Sequence, residues 1–209
     1  MSDWARQLGD DLSWREAELV SLKLLVSEAE IGSVRQTSLL RAIWVLLYAH
    51  YEGFFKFAWD LYLEQLEQLG IAREDAIETL VRFSLAKNFR TLRGNLSDKS
   101  LWGCFSCDLQ LWMKEKIRFD VRLETNSNLW PGVAKENSIE VGLPTAELDV
   151  HEFELRALVS RRNDIAHGKN MVVQSLAEYQ KYEDAAVLAM HEVAVAVLDA
   201  LEQRLYLKP

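Results

Sequence analysis

Residues 158–168, Leu-Val-Ser-Arg-Arg-Asn-Asp-Ile-Ala-His-Gly, crowd two guanidinium groups, an amide, a carboxylate and an imidazole into eleven positions. A guanidinium fork matches two oxygens of a phosphate, and histidine exchanges protons near neutrality. Together they could hold an anion and move protons on it. Phe153, Leu155, Leu158, Val159, Ile165 and Ala166 recur at helical spacing, and Gly168 offers the left-handed residue that ends helices. The pattern predicts a helix whose last residue is His167. Asn163 and His167 are four apart, so the amide is expected to hold one ring nitrogen. Arg162 lies about 140° round the axis from His167 and roughly 7.5 Å along it, so only its long side chain can bring both to one small anion. The same residues also describe a solvated helix end with its cations set against the dipole.

Arg162-Asn163, three further residues and His167, with Ala166 before and Gly168 after, resembles the signature of the HEPN superfamily (higher eukaryote and prokaryote nucleotide-binding). In that signature an arginine is followed by a polar residue, a short spacer and a histidine. The polar residue selects Arg162 over Arg161. A second stretch, Leu47-Tyr48-Ala49-His50-Tyr51-Glu52-Gly53-Phe54-Phe55-Lys56, is similar to the first core helix of the HEPN group of bacterial conflict systems.

The resemblance implies an all-α helical bundle acting as a metal-independent endoribonuclease of toxin–antitoxin or antiviral type. It implies a homodimer with the two motifs face to face, RNA as substrate, an antitoxin or other defence protein as possible partner, and no cofactor or metal. Arg162 and His167 would be catalytic, with Asn163, Glu52 and Arg161 in support. Glu52 has a second reading, because Lys56 stands four residues on and suits a simple ion pair. The alternative for the whole chain is a non-catalytic RNA-binding or protein-interaction module.

The elements that must position these groups are all helical in pattern. Leu12, Leu19, Leu22, Val26 and Ala29 predict an amphipathic helix over 11–30, stopping at Gly32. Ser33-Val34-Arg35-Gln36 has the form of a capping box and opens a helix that runs almost to Gly70, with a bend at Gly53. That helix is apolar nearly all round and belongs at the centre of a bundle, so its polar His50, Glu52 and Lys56 need partners. Helices are expected over 73–93 and 97–116, the second with Leu101, Phe105, Leu109, Trp112 and Met113 inward. Within it Cys104 and Cys107 make a Cys-x-x-Cys pair without a second ligand pair, which reads as small core residues rather than a zinc site. From 117 to 149 turn-formers dominate, with a short helix around 132–141. Ser175-Leu176-Ala177-Glu178 caps a long closing helix that carries Tyr179, Tyr182, Ala186, Met190, Val193, Val197, Leu201 and Leu205.

The expected organisation is a single domain over 1–209: an N-terminal helical extension at 1–32, core helices over 33–116, a connection at 117–149, then the motif and closing helices over 150–209. The start lacks a signal-peptide pattern, and the longest apolar run, Ala42 to Ala49, is far short of the ~20 residues of a membrane span. With two cysteines, a cytoplasmic location is expected. Net charge is −8, unfavourable for an RNA binder as an average. Residues 87–122, however, hold eight Lys or Arg against four Asp or Glu, which permits a basic groove on an acidic body.

Overall fold

The structure is a computed structural model that describes residues 2–94 and 96–209. It is all-α: among the described residues only two isolated bridges, Ala72 to Lys116 and Ala76 to Leu207, interrupt the helices and their loops. Helix α1 spans Asp3–Ser27 and α2 spans Val34–Leu69. Ser33 caps α2 by accepting from the Gln36 amide, while the Gln36 side chain reaches back to Gly32 N–H rather than to Ser33. Gly70, at φ 63°, ends the helix in the left-handed conformation that glycine adopts without strain.

Helix α2 runs unbroken for 36 residues and is the axis of the molecule. Leu40, Ile43, Trp44, Leu47, Tyr48, Tyr51, Phe54, Phe55, Ala58 and Trp59 are all buried along it. A large apolar side chain gains about 1.5 to 3 kcal/mol on full burial, so this helix is held by its surroundings more than by its own propensity. It is covered by α1, α9 (Glu152–Ala166) and α10 (Leu176–Glu202). Buried Ala185, Ala186, Ala189 and Ala196 keep the α10 surface low, which allows close approach. Trp44 joins three of these helices: its ring lies 4.7 Å from Tyr182 of α10, and its indole N–H donates to the Leu158 carbonyl of α9.

Several expectations need correction. Helix α1 begins at Asp3, because Trp4 and Leu8 continue the inward stripe and the Arg6 and Gln7 side chains both donate to Asp3. Gly53 lies within the continuous α2 and makes room for Arg15 of α1, whose Nη1 would lie 3.0 Å from an added Cβ. The helix expected over 73–93 is divided into a 3-10 turn at Arg73–Asp75, α3 (Glu78–Ser84) and α4 (Ala86–Leu92). Buried Arg73 docks on Ser84 Oγ, the Trp112 carbonyl and Glu115, and Ile77 N–H donates to Tyr206, so long-range partners take over the groups a continuous helix would use.

The segment expected at 97–116 comprises α5 (Asp98–Gly103), a π-helical stretch Cys104–Asp108 and α6 (Leu109–Lys114). The wider turn leaves Phe105 exposed rather than inward; Trp112 and Met113 do pack on the core. Phe153 is likewise exposed on α9, and Leu205 lies beyond the end of α10. Between α6 and α9 the chain forms α7 (Pro131–Glu140) and α8 (Ala146–Val150), and buried Leu123, Leu129, Val141, Leu143 and Leu148 make this connection part of the core. No helix among the described residues is long and apolar enough to cross a membrane.

Candidate functional site

Tyr48, Glu52 and Lys56 stand four apart on α2 and therefore form one stripe along it. Arg162 of α9 faces that stripe, and the four residues line a cavity of about 220 Å³ together with Val45, Ala49 and Gly53. The Arg162 guanidinium lies 4.5 Å above the Tyr48 ring. Its Nη1 donates to Asn128 Oδ1 at 3.0 Å and to Asn163 Oδ1 at 2.9 Å. Every one of these partners is neutral. Among the described residues Arg162 has no carboxylate within ion-pair distance, so its position is set while its charge is not cancelled.

The floor of the cavity is locked from the segment before α7. Leu129 N–H donates to the Tyr48 hydroxyl at 2.9 Å, and Thr125 Oγ1 donates to Glu52 Oε1 at 2.6 Å. Asn126 and Ser127 between them adopt φ of 52° and 71°, left-handed conformations unusual outside glycine. The tight turn they make points Thr125 and Asn128 at two different groups of the same cavity. Burial pushes the Glu52 carboxyl up, but hydrogen bonds from Thr125, Tyr48 and Lys56 outweigh it and hold the group below its ordinary value. Lys56 Nζ is 3.1 Å from Glu52 Oε1, with the lysine half-exposed. Glu52 thus pairs with Lys56 and lines the same cavity as Arg162, its bonded partners being Thr125, Tyr48 and Lys56. Burial raises the Tyr48 phenol well above its usual range, so the hydroxyl stays protonated as a fixed dipole.

The remaining motif residues divide. Arg161 turns away from the cavity, pairs with Glu178 of α10 at 2.5 Å and lies over the Trp44 and Tyr182 rings. It clamps α9 to α10. Asn163 does not hold His167 as its spacing suggested; its side-chain oxygen accepts from the neighbouring Arg162, and only its main-chain carbonyl meets the His167 N–H. His167 is the C-cap of α9, exposed, outside the cavity lining, and followed by Gly168 at φ 75°.

The opposite side of α2 carries a second polar cluster. His50 is buried at 2% exposure, with Nδ1 3.4 Å from Arg15 Nη1 and Nε2 3.0 Å from Glu18, the latter off the line of a good hydrogen bond. Arg15 itself pairs with Asp11 at 2.5 Å and lies over the Trp14 ring. Burial, reinforced by the Arg15 charge, holds the His50 imidazole below its usual value despite Glu18 and Asp11. Cys104 is buried and Cys107 exposed, both free, and no group of three His, Cys, Asp or Glu among the described residues is placed to hold a metal ion.

A family model described as HEPN_MAE_28990-like HEPN matches residues 4–206, from the first turn of α1 to beyond the end of α10. The chain belongs to this HEPN family. No curated protein and no solved structure matches it. HEPN domains are commonly ribonucleases of conflict systems, and in this chain Arg162 is the residue that neutral groups present to an open cavity.

The site residues that sequence reasoning missed are Tyr48 and Lys56 in the cavity lining, and Thr125 and Asn128, which bond to Glu52 and Arg162. The first two were visible as four-residue steps from Glu52. The turn holding Thr125 and Asn128 was recognisable as a turn, but its partner helix was not.

Proposed function

We propose that this HEPN protein is a metal-independent endoribonuclease of a toxin–antitoxin or antiviral system. The observation that carries the reading is the Arg162 guanidinium, fixed by Tyr48, Asn128 and Asn163 yet uncompensated in charge at an open cavity. Such a group is ready for a phosphate, and holding its charge in place beforehand is what stabilises a phosphorane-like transition state. Lys56 lines the same cavity, its charge paired with Glu52.

Cleavage proceeds by the RNA's own chemistry. The 2′-oxygen attacks phosphorus, the bond from phosphorus to the 5′-oxygen breaks, one base takes the 2′-hydroxyl proton and one acid gives a proton to the leaving oxygen. Each chain carries a single histidine in the motif, so the proposed active form is a homodimer in which His167 of one subunit acts as base and the partner's His167 as acid. An exposed His167 at a helix end, apart from its own cavity, suits a role completed across an interface. That same separation favours the second reading, an RNA-binding or interaction module without cleavage.

Incubating the purified protein with single-stranded RNA tests the choice. Cleavage that survives EDTA, leaves 2′,3′-cyclic phosphate ends and spares DNA is expected, since DNA lacks the attacking hydroxyl. His167→Ala should reduce it by roughly 10²- to 10⁴-fold with the helix content unchanged. Light scattering should show a dimer. RNA bound but never cut would leave the binding module as the better account, and cleavage undiminished in His167→Ala would remove His167 from the mechanism.

A further inference from the structure

Away from the Arg162 cavity, α3, α4 and the C-terminal end of α7 enclose a cavity of about 470 Å³ lined by Arg82, Ala86, Phe89, Arg90, Arg93 and Glu140. Three guanidinium groups surround one opening in a chain of net charge −8, two of them, Arg90 and Arg93, from the basic 87–122 segment. Among the described residues of the lining, Glu140 is the only anion. Arg82 is 3.7 Å from Glu78, both side chains largely exposed, a contact that contributes little in water. Among the described residues Arg90 and Arg93 have no carboxylate within ion-pair distance, unlike Lys87, Arg118 and Arg122 nearby, which face Asp120, Glu67, and Asp60 with Glu64.

The placement is regular. Backbone bonds from Leu85 N–H to Val81 and from Phe89 N–H to Leu85 carry helical geometry across the α3–α4 junction. Residues 82, 86, 89 or 90, and 93 therefore share one face. Phe89 is anchored on the core and Ala86 keeps the floor low. Like charges brought together on one face repel, and an anion in the opening relieves that repulsion. Arginine suits the backbone of a nucleic acid strand, and an aromatic edge beside it suits a base.

Helix α7 connects this cavity to the other. Its N-cap, Trp130, is two residues past Asn128, which holds Arg162, and its last residue, Glu140, lines the arginine cavity. Ten residues of helix span roughly 15 Å. We propose that the Arg82–Arg90–Arg93 cavity is a second RNA subsite, which takes backbone phosphate of the strand some nucleotides away from the phosphate at Arg162. This rests on the ribonuclease reading for its substrate but makes a separate demand on binding.

The test compares wild type with the double variant Arg90→Gln, Arg93→Gln, both checked for unchanged helix content. One arm measures binding of a single-stranded 2′-O-methyl RNA of about 12 nucleotides by anisotropy across a salt series. The variant is expected to bind several-fold more weakly, with the log–log salt slope reduced by about 1 to 1.5 as two phosphate contacts are lost. The second arm measures cleavage of that RNA in unmodified form and of a dinucleotide: KM should rise for the long strand only, with kcat retained. Unchanged affinity and salt slope would overturn the subsite even if cleavage is robust. Weaker variant binding without any cleavage by wild type would uphold the subsite and fail the ribonuclease reading instead.

Discussion

Helix α2 separates two arginines that look alike in sequence and differ in surroundings. On one side Arg15 is 8% exposed, pairs with Asp11, lies over Trp14 and meets His50 in the space Gly53 leaves open. On the other, Arg162 lies over Tyr48 and bonds to two asparagine oxygens beside an open cavity. Both use an aromatic face and short polar contacts for position. Only Arg15 is given a carboxylate. A buried cation without an anion is costly, so the sealed side must neutralise its charge, whereas the open side leaves the charge to solvent or to a ligand. The difference separates an arginine that holds helices together from one presented for binding. Arg161 confirms the distinction within the motif itself: one residue from Arg162, it is paired with Glu178 and belongs to the structural kind.

The comparison breaks most visibly in stability. Arg15→Met leaves Asp11 and the His50 ring without their partner and is expected to cost about 3 kcal/mol in urea unfolding, with activity per folded molecule unchanged. Arg162→Met, whose partners are neutral and partly solvated, should cost about 1 kcal/mol or less. Equal losses would mean the two sites are the same kind of site. Next in size, Asn128→Ala removes one of the groups that fix Arg162, and a drop in cleavage rate of about tenfold, or 1.4 kcal/mol, is expected without loss of fold.

Gly53→Ala sharpens the sealed side. The added Cβ would stand 3.0 Å from Arg15 Nη1, so the guanidinium must shift, and a net loss of about 1 kcal/mol is expected despite the better helix propensity of alanine. In an Arg15→Met background that obstruction is gone and the same substitution should stabilise. The smallest effect concerns pH. The folded-state value of His50 lies below its ordinary 6.5, so the unfolded chain binds the proton more readily. Stability from this group is complete above pH 6.5 and is lost as pH falls through the lower folded value, with a slope of at most about 1.4 kcal/mol per unit. His50→Gln should flatten that part of a pH–stability curve; an unchanged slope would remove His50 from the account.

How much of this was legible in the sequence follows from the range of the contacts. The central α2, its cap and the closing helix depend on local pattern, and apolar residues on nearly every face of 34–69 announced a buried axis. The choice of Arg162 over Arg161 rested on the neighbouring polar residue; their partners in the structure, neutral amides for Arg162 and Glu178 for Arg161, were not legible. The neutral cradle was not legible, because Asn128 is 34 residues from Arg162 and Thr125 is 73 from Glu52. Asn163 was misassigned for a similar reason: spacing relates residues along a helix face, but a long arginine side chain can fold back onto its immediate neighbour. The divided helix at 73–93 was hidden by Arg73, whose partners at 84, 112 and 115 come from other elements or later turns.

If Arg162 rather than Arg161 is the cation that meets the RNA phosphate, the variants Arg162→Gln and Arg161→Gln should part in opposite directions. Each variant is assayed for single-turnover cleavage of one RNA and for its urea midpoint. Arg162→Gln is expected to lose cleavage by at least about 10²-fold at nearly wild-type stability. Arg161→Gln is expected to keep cleavage while its midpoint falls, since the tie between α9 and α10 is cut. The reverse outcome, with Arg161→Gln inactive and Arg162→Gln active, would contradict the account.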